Sequence, residues 1–207
     1  MTTTDQRPQA DTAARILDTA ERLVQRRGFN GFSYADVAAE LEITKASLHY
    51  HFPSKSTLGE ALIVRYDERF AAALDVIDAD PGAASAKLLA YADLYANVLE
   101  DQRMCLCGML AAEYQTLPDA MQRAVTAFFE HNEEWLARVL QQGRRRRELD
   151  FAGPARELAR AIVSALEGAL LTSRPYSDPG RFQATARRLI ATLTAAGYAV
   201  SPRPRRP

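Results

Sequence analysis

The chain reads as all-α: a small N-terminal three-helix unit carrying a helix-turn-helix, followed by a larger helical bundle. Three observations lead there. Apolar residues recur at helical spacing along nearly the whole length, and no convincing period-two strand interrupts them. Two short amphipathic segments, 34–41 and 45–51, are separated only by Glu42–Thr44, which leaves room for a tight turn and nothing more. Pro118, Pro154 and Pro179 stand at the starts of later helical stretches, where a missing N–H does no harm.

Taken in order, residues 1–10 are polar and are expected to be disordered. A first helix is expected from Asp11 or Thr12 to Arg27, with Ile16, Leu17, Ala20, Leu23 and Val24 on one face. Gly28 ends it, as glycine does where the chain turns left-handed. Ser33 caps a short helix over 34–41 that buries Val37, Ala38 and Leu41. A second short helix runs from Lys45 to His51. Ser54 then caps a long helix from Lys55 to Ile77, on which Leu58, Leu62, Tyr66, Phe70 and Leu74 fall at successive i+4 positions. The remaining helices are expected over 85–100, 106–114, 118–142, 154–174 and 179–196. The tail from Ser201 alternates proline and arginine and is expected to be disordered. These elements divide the chain into residues 1–54, residues 55–200 and a tail, 201–207.

Of the 207 residues, 47% are hydrophobic and 25% charged, ordinary values for a globular protein, and the formal net charge is zero. A binder of nucleic acid held by electrostatics alone would be far more basic, so DNA binding here must rest on a few focused residues. The two cysteines, Cys105 and Cys107, make no disulfide framework. No secretory core follows Met1, and no run of about 18 apolar residues could span a membrane; a cytoplasmic setting is expected. An enzyme finds no support: there is no glycine-rich phosphate loop, no His-Glu-x-x-His pair and no nucleophile elbow. Nothing points to a cofactor.

Within Lys45–Phe52, apolar Leu48 and Phe52 lie at i and i+4 and face the core. That rotates Lys45, Ser47, His49 and Tyr50 outward, donors and hydroxyls suited to phosphates and base edges. Ser33 and Thr44 stand at the starts of the two short helices, where backbone amides can meet a phosphate. His51 has two open readings, a DNA contact or a half-buried histidine with its polar needs met inside the fold.

The stretch from Ile16 to Leu62, above all Gly28-Phe29, Val37-Ala38 and the run from Thr44 to Lys55 ending Tyr-His-Phe-Pro-Ser-Lys, resembles the TetR family of bacterial repressors. The resemblance implies that Thr44, Lys45, Ala46, Ser47, His49, Tyr50 and His51 lie against double-stranded DNA, with phosphate contacts from Ser33 and Lys55. Two positions depart from the family pattern. Ala46 stands where glycine is usual, and His49 where tyrosine is common. Further on, Cys105–Glu113 followed by Leu117-Pro118 resembles the NemR-like subgroup. That implies a body which binds a small-molecule effector between its central helices and dimerises through its last two.

The residues agree on a dimer. Leu158, Ile162, Ala165, Leu166, Ala169 and Leu170 form a wide stripe in 154–174, kept slim by Ala159, Ala161 and Gly168. Phe182, Leu189, Ile190 and Leu193 do the same in 179–196. Two such helices from each protomer would make a homodimer interface; a monomer burying the same stripes is the competing reading. For an effector, the candidates are Tyr66, Phe70, Tyr91, Tyr95, Cys105, Met109 and Trp135, with Met104, Tyr114 and Phe128 nearby in kind; all could equally be plain core. An alternative makes Cys105 and Cys107 a thiol-reactive or metal sensor, with His131 as a further ligand. Side chains two apart on a helix diverge by about 200°, so a shared ion would need an irregular segment. Arg144–Arg147 reads as the solvated end of a helix that finishes at Gln142, where cations complement the dipole; the alternative is a second patch for an acidic partner. Arg203, Arg205 and Arg206 read the same way.

Overall fold

A computed structural model describes residues 7–194. Among them nine α-helices follow in order: α1 (Arg7–Arg27), α2 (Tyr34–Leu41), α3 (Lys45–His51), α4 (Lys55–Ala79), α5 (Ala84–Glu100), α6 (Leu106–Ala112), α7 (Asp119–Arg145), α8 (Ala155–Ser173) and α9 (Pro179–Ala191). Short 3₁₀ turns, Tyr114–Thr116 and Arg174–Tyr176, follow α6 and α8. The expected all-α class holds. The expectations for residues 1–6 and 195–207, including the arginine tail, lie outside the described residues.

Local chemistry explains most boundaries. Gly28 takes φ 83° directly after α1, and its N–H closes on Val24 O at 2.8 Å. Ser33 and Asp36 form a reciprocal capping box on α2, Thr44 Oγ1 accepts from Ser47 N at 3.1 Å to cap α3, and Ser54 Oγ accepts from Thr57 N at 3.0 Å to cap α4.

Four expected boundaries are corrected. The first helix begins at Arg7, ahead of Asp11, because a proline in the second position fits a first turn. The helix expected over 106–114 ends at Ala112, where Glu113 closes it. The helix expected to finish at Gln142 continues to Arg145. Its Gly143 serves close approach rather than termination, since a Cβ there would stand 2.6 Å from Ala84 Cβ and from Leu149 Cδ1. The left-handed turn falls instead at Arg147, φ 59°. The last helix stops at Ala191, and Thr194 bridges to Leu149 beside the Asp150 N–H to Leu193 O hydrogen bond. Leu17 and Leu41, expected inside, are half-buried.

The described residues pack as two compact units. One takes the chain up to Arg69 together with 103–128; the other takes 70–102 with the rest from Phe129. The α4 and α7 helices contribute residues to both. The core of the first includes Ile16, Leu23, Val37, Leu48, Leu58 and Leu106; that of the second includes Leu88, Tyr91, Leu136, Ile162, Leu166 and Phe182. The i+4 ladder Leu58, Leu62, Tyr66, Phe70 and Leu74 is buried throughout. No helix of the described residues is long and apolar enough to cross a membrane.

Candidate nucleic-acid interface

The second helix of the pair, α3, is seven residues long and anchored on one side only. Leu48 is fully buried and Phe52 nearly so, which fixes its rotation. Lys45, Ala46, His49 and Tyr50 are exposed, Ser47 and His51 half-buried. Tyr50 is 71% exposed, with its ring edge-on to His51 at 5.2 Å. An aromatic ring left so far in water on a well-anchored helix is an unsatisfied apolar surface with a hydroxyl at its tip.

Two devices hold α3 in place that the sequence does not advertise. Tyr34, the first residue of α2, donates its hydroxyl to Phe52 O at 2.8 Å and so ties the two helices together. Burial pushes its pKa up to about 12, so this phenol stays a donor through the neutral range. The His49 ring lies 4.8 Å from the Tyr34 ring, and its Nδ1 is 3.2 Å from Pro53 O. A carbonyl only accepts, so in this contact Nδ1 is the donor.

The flanking residues have partners within the fold. Ser33 donates both its N–H (2.7 Å) and its hydroxyl (2.5 Å) to Asp36 Oδ2. Those bonds, with the cation of Arg27 a lesser cause, hold the Asp36 carboxyl below its ordinary value. Ser33, expected at a phosphate, is here a cap whose protons are both donated to Asp36. Thr44 is exposed and accepts from Ser47, which leaves its own hydroxyl proton for another acceptor. Lys55, expected at a phosphate, is turned inward in this structure. Its ammonium donates to Phe29 O and Phe32 O at 2.5 Å each and lies 4.6 and 4.4 Å from the centroids of those rings. The side chain is half-buried within the unit.

The effector candidates fall into two groups. In the first unit, Tyr66 donates to Cys105 Sγ at 3.7 Å and packs on Phe128 at 5.5 Å. Cys105 is 0% exposed and caps α6, its sulfur accepting from Gly108 N at 3.4 Å. Met109 is half-buried. In the second unit, Phe70 meets Tyr91 and Tyr95 edge-on at 6.0 and 5.9 Å, and Tyr91 stacks on Trp135 at 5.6 Å. A line of polar atoms runs through that cluster: Tyr95 and Tyr91 hydroxyls 3.0 Å apart, then Asn132 Oδ1 at 3.1 Å. Trp135 Nε1 donates to Asp78 at 3.1 Å. Two clefts lie elsewhere, one of about 100 Å³ beside Val76 and Lys87, one of about 460 Å³ lined by Ala165, Ala184, Thr185, Arg188 and Leu189.

Among the described residues no three His, Cys, Asp or Glu side chains gather as a metal site. His131 is exposed and belongs to the other unit from the two cysteines. Arg144 is engaged by Gly153 O at 3.0 Å and by the Phe151 ring, while Arg145 and Arg146 are exposed at the helix end.

A capped, one-sidedly anchored α3 behind α2, in an all-helical chain, defines a helix-turn-helix DNA-binding regulator. The comparisons with known proteins agree. Residues 16–62 match the model of bacterial regulatory proteins of the tetR family, and residues 84–189 match the tetracyclin repressor-like C-terminal domain. The HTH-type transcriptional repressor NemR of Escherichia coli (strain K12) is 26% identical over 189 residues, covering 88% of this chain and 95% of NemR. A TetR-family regulator from Agrobacterium tumefaciens has a crystal structure 32% identical, with TM-score 0.87, covering 90% of this chain and all of that one. One from Legionella pneumophila is 35% identical with TM-score 0.80, covering 87% and 96%. The chain belongs to the TetR family.

Proposed function

We propose that this regulator represses transcription by binding, as a homodimer, a pseudo-palindromic double-stranded DNA operator, and that a small-molecule effector releases it. The observation that carries the reading is the outward face of α3, where Lys45, Ala46, His49 and Tyr50 stand exposed on a helix whose other side is locked by Leu48 and Phe52. In this reading residues 1–54 serve as the reader, with Thr44, Ser47 and His51 at the edges of the contact, and residues 55–200 serve as the body. Two copies of α3 related by a two-fold axis would enter successive major grooves about 34–36 Å apart.

The dimer reading is supported by what α8 and α9 leave uncovered. Ile162, Leu166, Ala169 and Leu170 are buried within one chain, so that part of the expected stripe is internal core. Ala161 and Gly168 are exposed, Leu158 and Ala165 half-buried, and Leu171 is 60% exposed. A Cβ added at Gly168 would meet nothing within 4 Å. With Ala184 and Leu189 of α9, which line the larger cleft, this makes a shallow apolar face of small residues suited to close approach by its own copy.

The effector reading is supported by the aromatic groups, above all Phe70, Tyr91, Tyr95 and Trp135 with the buried Asn132 among them. A ligand with an aromatic or apolar body and one polar group would suit it. A second reading, thiol sensing, has one observation in its favour: Cys105 Sγ is the cap of α6, so modifying it would remove that helix's N-terminal bond. Its complete burial works against fast reaction.

The direct test is an electrophoretic shift of the DNA upstream of the chain's own gene against a scrambled duplex. Saturable binding to the first at concentrations that leave the second free is the expected result. Equal affinity for both would defeat the reading.

A further inference from the structure

The segment Gly28–Phe32 joins α1 to α2 and delivers Ser33, the cap of α2. It is short, with Asn30 and Gly31 exposed and Gly28, Phe29 and Phe32 buried, and charged side chains from two other elements fill its hydrogen-bonding groups. Glu113, at the C-terminal end of α6, reaches it across 84 positions of sequence: Oε2 accepts the Phe29 N–H at 2.6 Å and the Asn30 N–H at 3.2 Å. Asn30 Nδ2 donates to Thr116 Oγ1 at 2.8 Å, just beyond. From α4, Lys55 Nζ takes the carbonyls of Phe29 and Phe32. Phe29 is therefore held at its N–H by a carboxylate and at its C=O by an ammonium. The turn is also shaped to that carboxylate: a Cβ on Gly28 would collide with Glu113, and Gly28 already sits at φ 83°. Two successive backbone N–H groups aimed at one anion make the kind of nest that binds phosphate elsewhere; here the protein supplies the anion itself. Charge-assisted bonds of this type are short and stiff compared with bonds to water.

We propose that Glu113 is a positioning residue for DNA binding: its carboxylate sets the pose of the Gly28–Phe32 turn, and through it that of the reader. This rests on the DNA-binding reading given above. The path is continuous. The turn ends on Ser33, Ser33 caps α2, and Tyr34 of α2 holds the end of α3 through Phe52 O. A turn released at the Phe29 N–H leaves α2 and α3 held by packing, by Lys55 on the two carbonyls and by the exposed Arg22–Glu40 ion pair. Glu113 touches no DNA-facing side chain of α3, so its effect on affinity is exerted wholly through backbone placement. The reader is in this way tied to α6, a seven-residue helix that Glu113 closes.

The test uses the full chain and its upstream DNA, with the variants Glu113→Ala, Glu113→Gln and Asn30→Ala. Fluorescence anisotropy gives affinity at several salt concentrations, and amide exchange reports on Phe29 and Asn30. At a temperature where circular dichroism shows the wild-type helix content, E113A is expected to bind about tenfold more weakly. Its salt dependence should match wild type, because every cation that meets a phosphate is still present. E113Q, whose amide oxygen accepts the same two N–H groups, is expected to recover most of the loss. Exchange at Phe29 and Asn30 should quicken in E113A and much less in E113Q. N30A, an exposed change that keeps the carboxylate, should weaken binding by about two- to threefold, and it stands as the test if E113A does not fold. A carboxylate serving stability alone would leave the folded variant's affinity at the wild-type value, and that result would overturn the proposal. Equal losses in E113A and E113Q, or wild-type affinity in N30A with E113A unfolded, would overturn it too. Unchanged exchange in E113A would refute the clamp itself, whereas a wild-type chain with no preference for its upstream DNA would sink the DNA-binding reading instead.

Discussion

At the residue scale, Lys55 and Asp36 carry the two clearest electrostatic consequences. Burial lowers the Lys55 pKa, opposed by the carboxylates of Glu113 and Asp36, and the ammonium is bonded inward. Lys55→Ala should therefore weaken binding to every DNA sequence through the turn it supports, while the dependence of affinity on salt stays at the wild-type slope. A slope reduced by about one phosphate's worth would restore Lys55 to the backbone of the DNA. Asp36 works in the opposite sense. Its carboxyl titrates lower in the fold than in the unfolded chain, so the capping box contributes its stability above the ordinary carboxylate range and loses it as pH falls through the depressed value. Amide exchange across α2 should accelerate over that acid window, and Asp36→Asn should remove the pH dependence. Local devices of this kind are legible in the sequence, because Ser33, Thr44 and Ser54 act on amides three residues away. Glu113, Lys55 and Tyr34 are not, since their partners lie 84, 26 and 18 positions off and no spacing rule reaches so far.

Among elements, α3 depends most on its cap. It has one hydrogen-bonding side chain at its start, and a seven-residue helix has little cooperativity to fall back on. Thr44→Ala should cost about 1 kcal/mol in urea unfolding and Thr44→Ser far less. Equal loss in the two would mean that the threonine methyl, and not the Oγ1 bond to Ser47, matters. The helix-turn-helix is legible nearly to the residue, because both its helices announce themselves by caps and by apolar residues at i, i+4, Val37 with Leu41 and Leu48 with Phe52. Gly143 lies beyond such reading. A glycine near a helix end is a stop signal in isolation, but here it admits Ala84 and Leu149, a tertiary fact with no local trace. Cys105 is a similar case: its place before α6 is visible in the sequence, but its complete burial is not. Slow labelling of Cys105 by a small maleimide in the native protein is expected, with faster labelling after mild urea. Immediate modification accompanied by loss of operator binding would favour the thiol-sensing reading.

For the whole molecule, the all-helical architecture follows from periodicity, and the grouping of 103–128 with the N-terminal helices does not, because it is made by long-range packing. The apolar stripes of α8 and α9 are visible in the sequence, but only the structure separates the side chains buried within one chain from Leu171, Ala161 and Gly168, which remain outside. Leu171→Glu should leave helicity and thermal stability near wild type while shifting the mass seen by light scattering toward the monomer, because each dimer would bury two such leucines, worth about 2 kcal/mol apiece. A dimer unaffected by that charge would place the interface elsewhere. The most direct test of the central reading is the affinity of Tyr50→Ala for the upstream operator, measured by anisotropy beside a circular dichroism control. Tyr50 is 71% exposed, with its ring against that of the adjacent His51, so the variant should remain fully helical and bind about 1–3 kcal/mol more weakly. A helical Tyr50→Ala protein with wild-type affinity would take the exposed face of α3 out of the DNA interface.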